Sequence, residues 1–185
     1  MHSQVKGKSS TNKQSEIQIK IQKILPLLEK SIAKQQGKLV SLAKKRGIAQ
    51  AFQNSGLEES GLRNVLDVAK ESSHVAVVTN FLRYQVGRDA GPSPTKWAVT
   101  MKCDKHSMSI GECVADDIEH TIARDMTAEV LERIKTDLDS TLPPAISSTI
   151  IQQAAIHLTR SYLGYLLRAF VSVRNKLGRE EYSHV

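Results

Sequence analysis

Apolar residues recur at three- and four-residue steps between Gly61 and Arg88. The apolar positions are Leu62, Val65, Leu66 and Ala69, followed by Val77, Val78, Phe81, Leu82 and Val86. This spacing places each set of side chains on one stripe of an α-helix. The segment is therefore predicted to form two amphipathic helices, each with one buried face and one polar face.

The same periodicity predicts helices on both sides of this pair. They cover 17–47, 48–54, 110–124, 127–138 and 149–177. Pro26 predicts a kink or a helix restart, and Gly47 a C-cap. Ser55 and Glu58 form a capping-box pattern for the helix that follows, and Ser60 is an equally suitable cap.

Proline, glycine and mixed patterns predict the loops. The sequences DAGPSPT and STLPPAISS should each break the chain, at 89–95 and 140–148. Residues 97–108 show no clear period and predict irregular structure that could include one short strand. The fold class that follows is all-α: a bundle of five to seven helices.

Composition agrees with a helical fold and limits the domain organisation. In 185 residues, 40% are hydrophobic but only 4% aromatic, which favours helices over a sandwich or barrel. The length suits one domain, predicted over 16–185, behind a flexible basic tail over 1–15. No apolar run is long enough to span a membrane, and no secretory signal is recognisable, so a cytoplasmic location is expected. Two cysteines, Cys103 and Cys113, are too few for a disulfide framework and fit a reducing compartment.

The net charge of +7 is unevenly distributed. Residues 1–50 contain eleven basic and two acidic residues, which leaves 15 of the 26 basic and 17 of the 19 acidic residues for the remainder. A second basic block runs from Arg160 to Arg179 with no acidic residue inside it, whereas Glu112 to Asp139 holds nine acidic and three basic residues. Such blocks are typical of a protein that binds a polyanion on one face and neighbouring subunits through complementary charge. Ordinary solvated faces are the alternative interpretation.

A metal site is not expected, although four residues are of suitable type: Cys103, His106, Cys113 and His120. On one helix, Cys113 and His120 would be separated by about 10 Å of rise, too far for two ligands of one tetrahedral zinc. No cofactor motif is present either.

Acid–base catalysis is also disfavoured. Asp116, Asp117, Glu119 and His120 are close in sequence, but neighbouring helical positions point in different directions. No partner nucleophile or glycine-rich phosphate loop accompanies them. We interpret them as a solvated acidic face or a docking patch, and expect the protein not to be an enzyme.

Phosphate contact is better supported, because arginine and lysine bind phosphate oxygens without a preformed pocket. The candidate RNA-binding residues are Arg63, Lys70, Arg83, Arg88, Arg168, Arg174 and Lys176. Tyr84 could stack on a base, but core packing is favoured for it. Sequence-specific DNA reading by a helix-turn-helix is disfavoured, because the linker between the two central helices lacks the usual glycine.

Three segments together resemble a known family. They are LEESGLRNVL, NFLRYQVGRD and, near the C-terminus, LLRAFVSVRNKLG. They resemble the small subunit of type III CRISPR effector complexes, the Csm small-subunit family. Tyr84 to Arg88 and Phe170 to Gly178 match its basic helical elements.

The resemblance implies a non-catalytic helical protein that lines a ribonucleoprotein. Such a protein would self-associate by stacking, contact guide and target RNA through basic residues, and adjoin other effector subunits. The expected function is thus structural RNA binding. A protein-interaction adaptor without nucleic-acid contact is the alternative, and a metal-dependent hydrolase or nuclease ranks third.

Overall fold

The computed structural model describes residues 22–45, 47–103, 106–139 and 141–182, with side chains for these residues except Lys45 and 176–182. The predicted tail over 1–15 lies outside the described residues, as does the start of the first predicted helix. The elements in chain order are α1 (22–33), α2 (Gln36–Lys45), α3 (Ile48–Asn54), α4 (Glu59–Glu71), α5 (Val75–Asp89), a 3₁₀ turn (Lys96–Ala98), β1 (Thr100–Cys103), β2 (His106–Ser109), α6 (Ile110–Asp116), a π-helix (Asp117–Met126), α7 (Thr127–Leu138) and α8 (Pro144–Tyr182).

The predicted all-α bundle is confirmed. We count α1 and α2 as one rod, and α6, the π-helix and α7 as another. The described residues then contain six helical rods. This number lies within the predicted range of five to seven. Among the described helices, none combines the length and apolarity needed to cross a membrane.

The longest helix, α8, organises the bundle. Its 39 residues correspond to a length of about 58 Å. It packs against α2, α3, α4, α7 and the π-helix. Its buried face includes Leu163, Leu166 and Phe170, and the ring of Phe170 lies edge-on to Phe52, 5.8 Å between centroids. Trp97 packs on the same Phe52 ring at 5.3 Å, so α3, α8 and the 3₁₀ turn share one aromatic cluster.

The boundaries of the first helices differ from those predicted from proline and glycine positions. Helix α1 runs through Pro26 without interruption, and the break comes at residues 34–35. There the amide of Gln35 bonds to the carbonyl of Ile32, three residues back, which tightens the turn. Gly47, predicted as a C-cap, immediately precedes α3 and has a left-handed φ of 65° that glycine adopts without steric cost.

The predicted capping box is wrong. Helix α4 begins at Glu59 after Glu58, and no side chain caps it. The Ser55 hydroxyl instead donates to the carbonyl of Phe52 and accepts from the amide of Leu57, which satisfies the turn after α3. Ser60 bonds to the side chain of Glu58 rather than to the backbone.

One predicted break is absent, and another is shorter than expected. The helices predicted over 110–124 and 127–138 form one continuous rod, because the π-helix bridges them. Helix α8 begins at Pro144, inside the segment predicted as a loop. Proline is well suited to that first helical position, since its missing N–H would have no intrahelical acceptor there.

The irregular segment contains a small antiparallel hairpin of two strands, β1 and β2, with Cys103 paired to His106. Cys103 and Cys113 form a disulfide, with 6.1 Å between their Cα atoms, which we call the hairpin disulfide. This corrects the prediction of reduced thiols. The hairpin returns the chain so that the end of β1 meets the first turns of α6, a proximity that spacing alone does not reveal.

Candidate nucleic-acid interface

Two of the predicted RNA-binding arginines share one carboxylate. Arg63 donates from Nε to Glu59 one turn earlier on α4 (2.9 Å), and Arg174 on α8 donates to the other Glu59 oxygen (2.8 Å). The hydrogen bond from Arg63, ahead of that from Arg174, lowers the pKa of Glu59 below its ordinary value. These contacts join α4 to α8 and neutralise part of both guanidinium charges.

Arg83 is the most strongly paired of the predicted residues. Its two terminal nitrogens bond to both oxygens of Glu119, at 2.7 and 2.8 Å, in the planar bidentate geometry that arginine favours. Glu112 adds a third contact at 3.4 Å. The bond to Glu119 raises the pKa of Arg83, and the same bond lowers the pKa of Glu119. Arg83 therefore holds α5 to the rod of α6 and the π-helix.

Lys70 and Arg88 also contact carboxylates of their own helix. Lys70 lies 2.8 Å from Asp67, and Arg88 lies 3.1 Å from Asp89. The Lys70–Asp67 pair is exposed, and such a pair contributes at most about 1 kcal/mol and exchanges readily with other ligands. The Asp89 side chain, in contrast, is only 8% exposed and also accepts a hydrogen bond from the amide of Trp97. Both cations remain more than half exposed, so they can contribute to a positive surface.

Arg168 differs from these five. Within the described part of the chain it has no carboxylate partner, and its guanidinium carbon lies 4.5 Å from the centroid of the Tyr165 ring. This stacking leaves its positive charge uncompensated. Lys176 belongs to α8, but its side chain lies outside the described residues.

Arg168 lines an open cleft between α2, α3 and α8, which we call the α2–α8 cleft. Its volume is about 520 Å³. The walls are mainly apolar and include Val40, Ala43, Ala169 and Val173. Lys44 contributes a second cation from α2, opposite Arg168 on α8. No carboxylate occurs among the lining residues that the structure describes, so the cleft is electropositive.

The local sequence explains how this cleft forms. Gly47 lies between α2 and α3 and immediately precedes α3, and Lys44 and Gln50 face the same opening. Tyr165 is held in place because its hydroxyl donates to the side-chain oxygen of Gln36 (2.9 Å).

Our sequence reasoning missed Lys44 and Tyr165 as site residues. Lys44 lies in a basic run near the end of α2, a position at which cations are common without any role in binding. Tyr165 precedes Arg168 by three residues, a helical spacing at which side chains meet.

Arg160, inside the C-terminal basic block, has a structural role. Its guanidinium donates to the carbonyls of Ala69 (2.8 Å), Lys70 (3.2 Å) and Ser72 (2.9 Å). These groups lie at the C-terminal end of α4, where backbone carbonyls lack helical partners and carry partial negative charge. Arg160 thus caps α4 from a distant helix.

Tyr84 corrects the prediction of core packing. It is 63% exposed, beside Phe81 on the outer face of α5. The buried stripe of that helix is instead Val78, Leu82 and Gln85, so the side of α5 that carries Tyr84 faces outward.

The acidic residues considered for catalysis do not converge. Asp117 is fully buried and accepts a hydrogen bond from Tyr162 (2.5 Å), whereas Glu119 bonds to Arg83. Asp116 lies 3.7 Å from His120 on the exposed face. Among the described residues, no group of three or more side chains is arranged to hold a metal ion.

A second surface feature is an apolar groove between α1 and the first half of α8, which we call the α1–α8 groove. It consists of two adjoining hollows of about 530 and 370 Å³ that share Leu25 and Leu28. Leu25 is 44% exposed there, and Ile146 and Ile150 line the opposite wall.

The chain matches no family model, and no significant match was found among curated proteins or solved structures. The fold and the two surface features therefore constitute the basis for assigning a function.

Proposed function

We propose that this protein is a non-catalytic, helical RNA-binding subunit that contacts the RNA backbone through the α2–α8 cleft. The observation that supports this most strongly is the pair of cations, Lys44 and Arg168, on opposite walls of a cleft whose described lining residues include no carboxylate. Phosphate binding is favoured where positive charge is not already neutralised by the protein itself.

The surrounding residues are secondary contributors in this proposal. Five of the predicted residues, Arg63, Lys70, Arg83, Arg88 and Arg174, are paired with carboxylates in the free protein. Lys70 exchanges its partner at little cost, since its pair is exposed, whereas release of Arg88 would leave the nearly buried carboxylate of Asp89 without its cation. Arg83 would lose a bidentate bond, so it is the least suited to RNA contact.

The setting we propose is a type III CRISPR ribonucleoprotein, and it rests on the three segments that resemble the small subunit of those complexes. Guide and target RNA and neighbouring effector subunits, including further copies of this chain, would then be the partners. The same resemblance supports a cytoplasmic location. The hairpin disulfide argues against it, because disulfides are uncommon in cytosolic proteins.

The decisive experiment measures the affinity of the purified protein for two unrelated single-stranded RNAs over a series of salt concentrations. Backbone contact predicts equal affinities for both sequences and a linear fall of log K with log salt. Removing one phosphate-binding cation should reduce that slope by about 0.7 for a single strand.

Glutamine variants of single cations show which of them contact the RNA backbone. Arg168→Gln and Lys44→Gln should each weaken binding of both RNAs and flatten the salt dependence. Arg63→Gln removes the same charge from a paired position and should change both quantities much less. Equal effects of all three variants would show that binding depends on overall charge and not on the cleft.

A protein-interaction adaptor is the second candidate, supported by the α1–α8 groove. An amphipathic helix of a partner would place its apolar stripe between Leu25 and Ile150, as in helix-in-groove recognition. Absence of RNA binding at low salt, together with a partner whose binding is abolished in Leu25→Glu, would favour this candidate over the first.

A further inference from the structure

We propose that the α2–α8 cleft accepts an unstacked nucleobase, so that the protein binds single-stranded RNA in preference to duplex RNA. This inference rests on the proposed function and specifies the class of RNA that the same site selects.

The size and polarity of the cleft indicate more than phosphate binding. A phosphate group needs donors and positive charge, but it gains nothing from aliphatic walls. The cleft volume of about 520 Å³ lies within the range of about 300 to 1,000 Å³ that is typical of sites for small organic ligands. Val40, Ala43 and Val173 make most of its surface apolar. A flat aromatic base can make apolar contacts with such walls, whereas an isolated phosphate cannot.

A stacking surface is already in place. The Arg168 guanidinium covers one face of the Tyr165 ring, and the hydrogen bond to Gln36 fixes that ring. A guanidinium plane has two faces, and Tyr165 uses one of them. Bases of single-stranded RNA stack on arginine planes and on aromatic rings alike.

The charged and polar groups around the cleft match the rest of a nucleotide. Lys44, on the opposite wall, is exposed and can meet the phosphate that adjoins an inserted base. Gln50 and Ser172 also line the opening, and each has both a donor and an acceptor. Groups of this kind adapt to any base edge, so the cleft should favour unpaired bases without strong sequence preference.

Duplex RNA cannot use such a site, since its bases are paired and stacked inside the helix. Charge alone would predict the opposite preference, because a duplex presents more phosphates to a cationic surface. A higher affinity for the single strand would therefore require contact with bases.

The test compares three RNAs of equal length: a single strand, the same strand annealed to its complement, and a single strand in which abasic sites replace the bases. Fluorescence anisotropy should show the single strand bound more tightly than the abasic strand by roughly fivefold to a hundredfold, the range expected for stacking of one base. The duplex should also bind more weakly than the single strand.

Two variants test whether the preference for single-stranded RNA depends on the cleft. Ala169→Leu fills the cleft, and Ser172→Leu blocks its exposed side without altering a buried position. Leucine is used because an aromatic ring would itself offer a stacking surface to a base. Each should abolish the preference for the single strand over the abasic strand, whatever its effect on the affinity for the abasic strand. Ala33→Leu makes the same change as the first variant on an exposed position of the α1–α8 groove and should retain the preference.

Failure of the inference is distinguishable from failure of the proposed function. Equal binding of all three RNAs, or a preference that survives in folded Ser172→Leu, would overturn base insertion and leave backbone contact standing. Binding to none of the three would overturn both proposals.

Discussion

Replacing Arg160 with methionine would test how the C-terminal end of α4 is stabilised. The substitution retains an unbranched apolar side chain but removes the guanidinium and its three hydrogen bonds to Ala69, Lys70 and Ser72. We expect α4 to lose its cap and the contact between α4 and α8 to weaken, while the buried core is unchanged.

The magnitude follows from the kind of bonds that the substitution removes. A hydrogen bond from a charged donor contributes roughly 1.5 kcal/mol or more to stability, and a cation near a helix C-terminus about 0.3–1 kcal/mol. The Lys70 bond is exposed and the longest of the three, so water should replace it at little cost. The two shorter bonds then predict a loss of about 3 kcal/mol. In a domain of this length, such a loss lowers Tm by roughly 6–12 °C.

Urea and thermal unfolding, followed by circular dichroism, would measure this loss. Arg168→Met is the matched control, because it removes the same group from the same helix without breaking a backbone hydrogen bond. It should cost about 1 kcal/mol or less, the value of an exposed cation–π contact. Arg160→Lys should fall between them, since one ammonium cannot reproduce the planar fork. Equal stability of Arg160→Met and Arg168→Met would refute the capping role.

Three further predictions concern packing, pH and redox state. Gly111→Ala should destabilise the fold by about 1–3 kcal/mol in urea unfolding, because its new methyl group would overlap the side chain of Val86 on α5; Gly87→Ala, where space is open, should be neutral or stabilising by up to about 1 kcal/mol. The lowered pKa of Glu119 predicts stability that is fully present above its ordinary pKa of 4.5 and disappears as pH falls through the lower folded value; unfolding of Glu119→Gln over the same pH series should show a shallower decline, and an identical profile would contradict the pairing with Arg83. Reduction of the hairpin disulfide, which closes a loop of about ten residues, should lower the free energy of unfolding by about 2–3 kcal/mol, and unchanged urea midpoints with and without reductant would count against the bond.

Helix content was predictable because it depends on local periodicity. The stripes of α4, at Leu62, Val65 and Ala69, are buried as expected. Boundaries were less predictable where two local signals competed. Pro26 favours a break, but the helix continues through it and the chain turns at residues 34–35 instead.

The candidate site was predictable only in part. Sequence reasoning selected Arg168, but it gave equal weight to Arg83, whose two partner carboxylates lie 29 and 36 residues further along the chain. Likewise, predicting whether Tyr84 is buried requires knowledge of which side of α5 packs against neighbouring helices. Spacing gives the angle between two side chains on one helix but not the direction in which the helix is rotated.

The sequence by itself determined the helical class, the positions of most rods and the uneven distribution of charge, because these properties arise from neighbouring residues. The tertiary structure decided which cations remain available. Ion pairs such as Arg83–Glu119, and the capping of α4 by Arg160, join residues far apart in sequence, so their pairing depends on how the rods pack. Among the described residues, Arg168 and Lys44 have no carboxylate partner for the same reason: α2 and α8 meet across a cleft whose described lining contains no acidic residue.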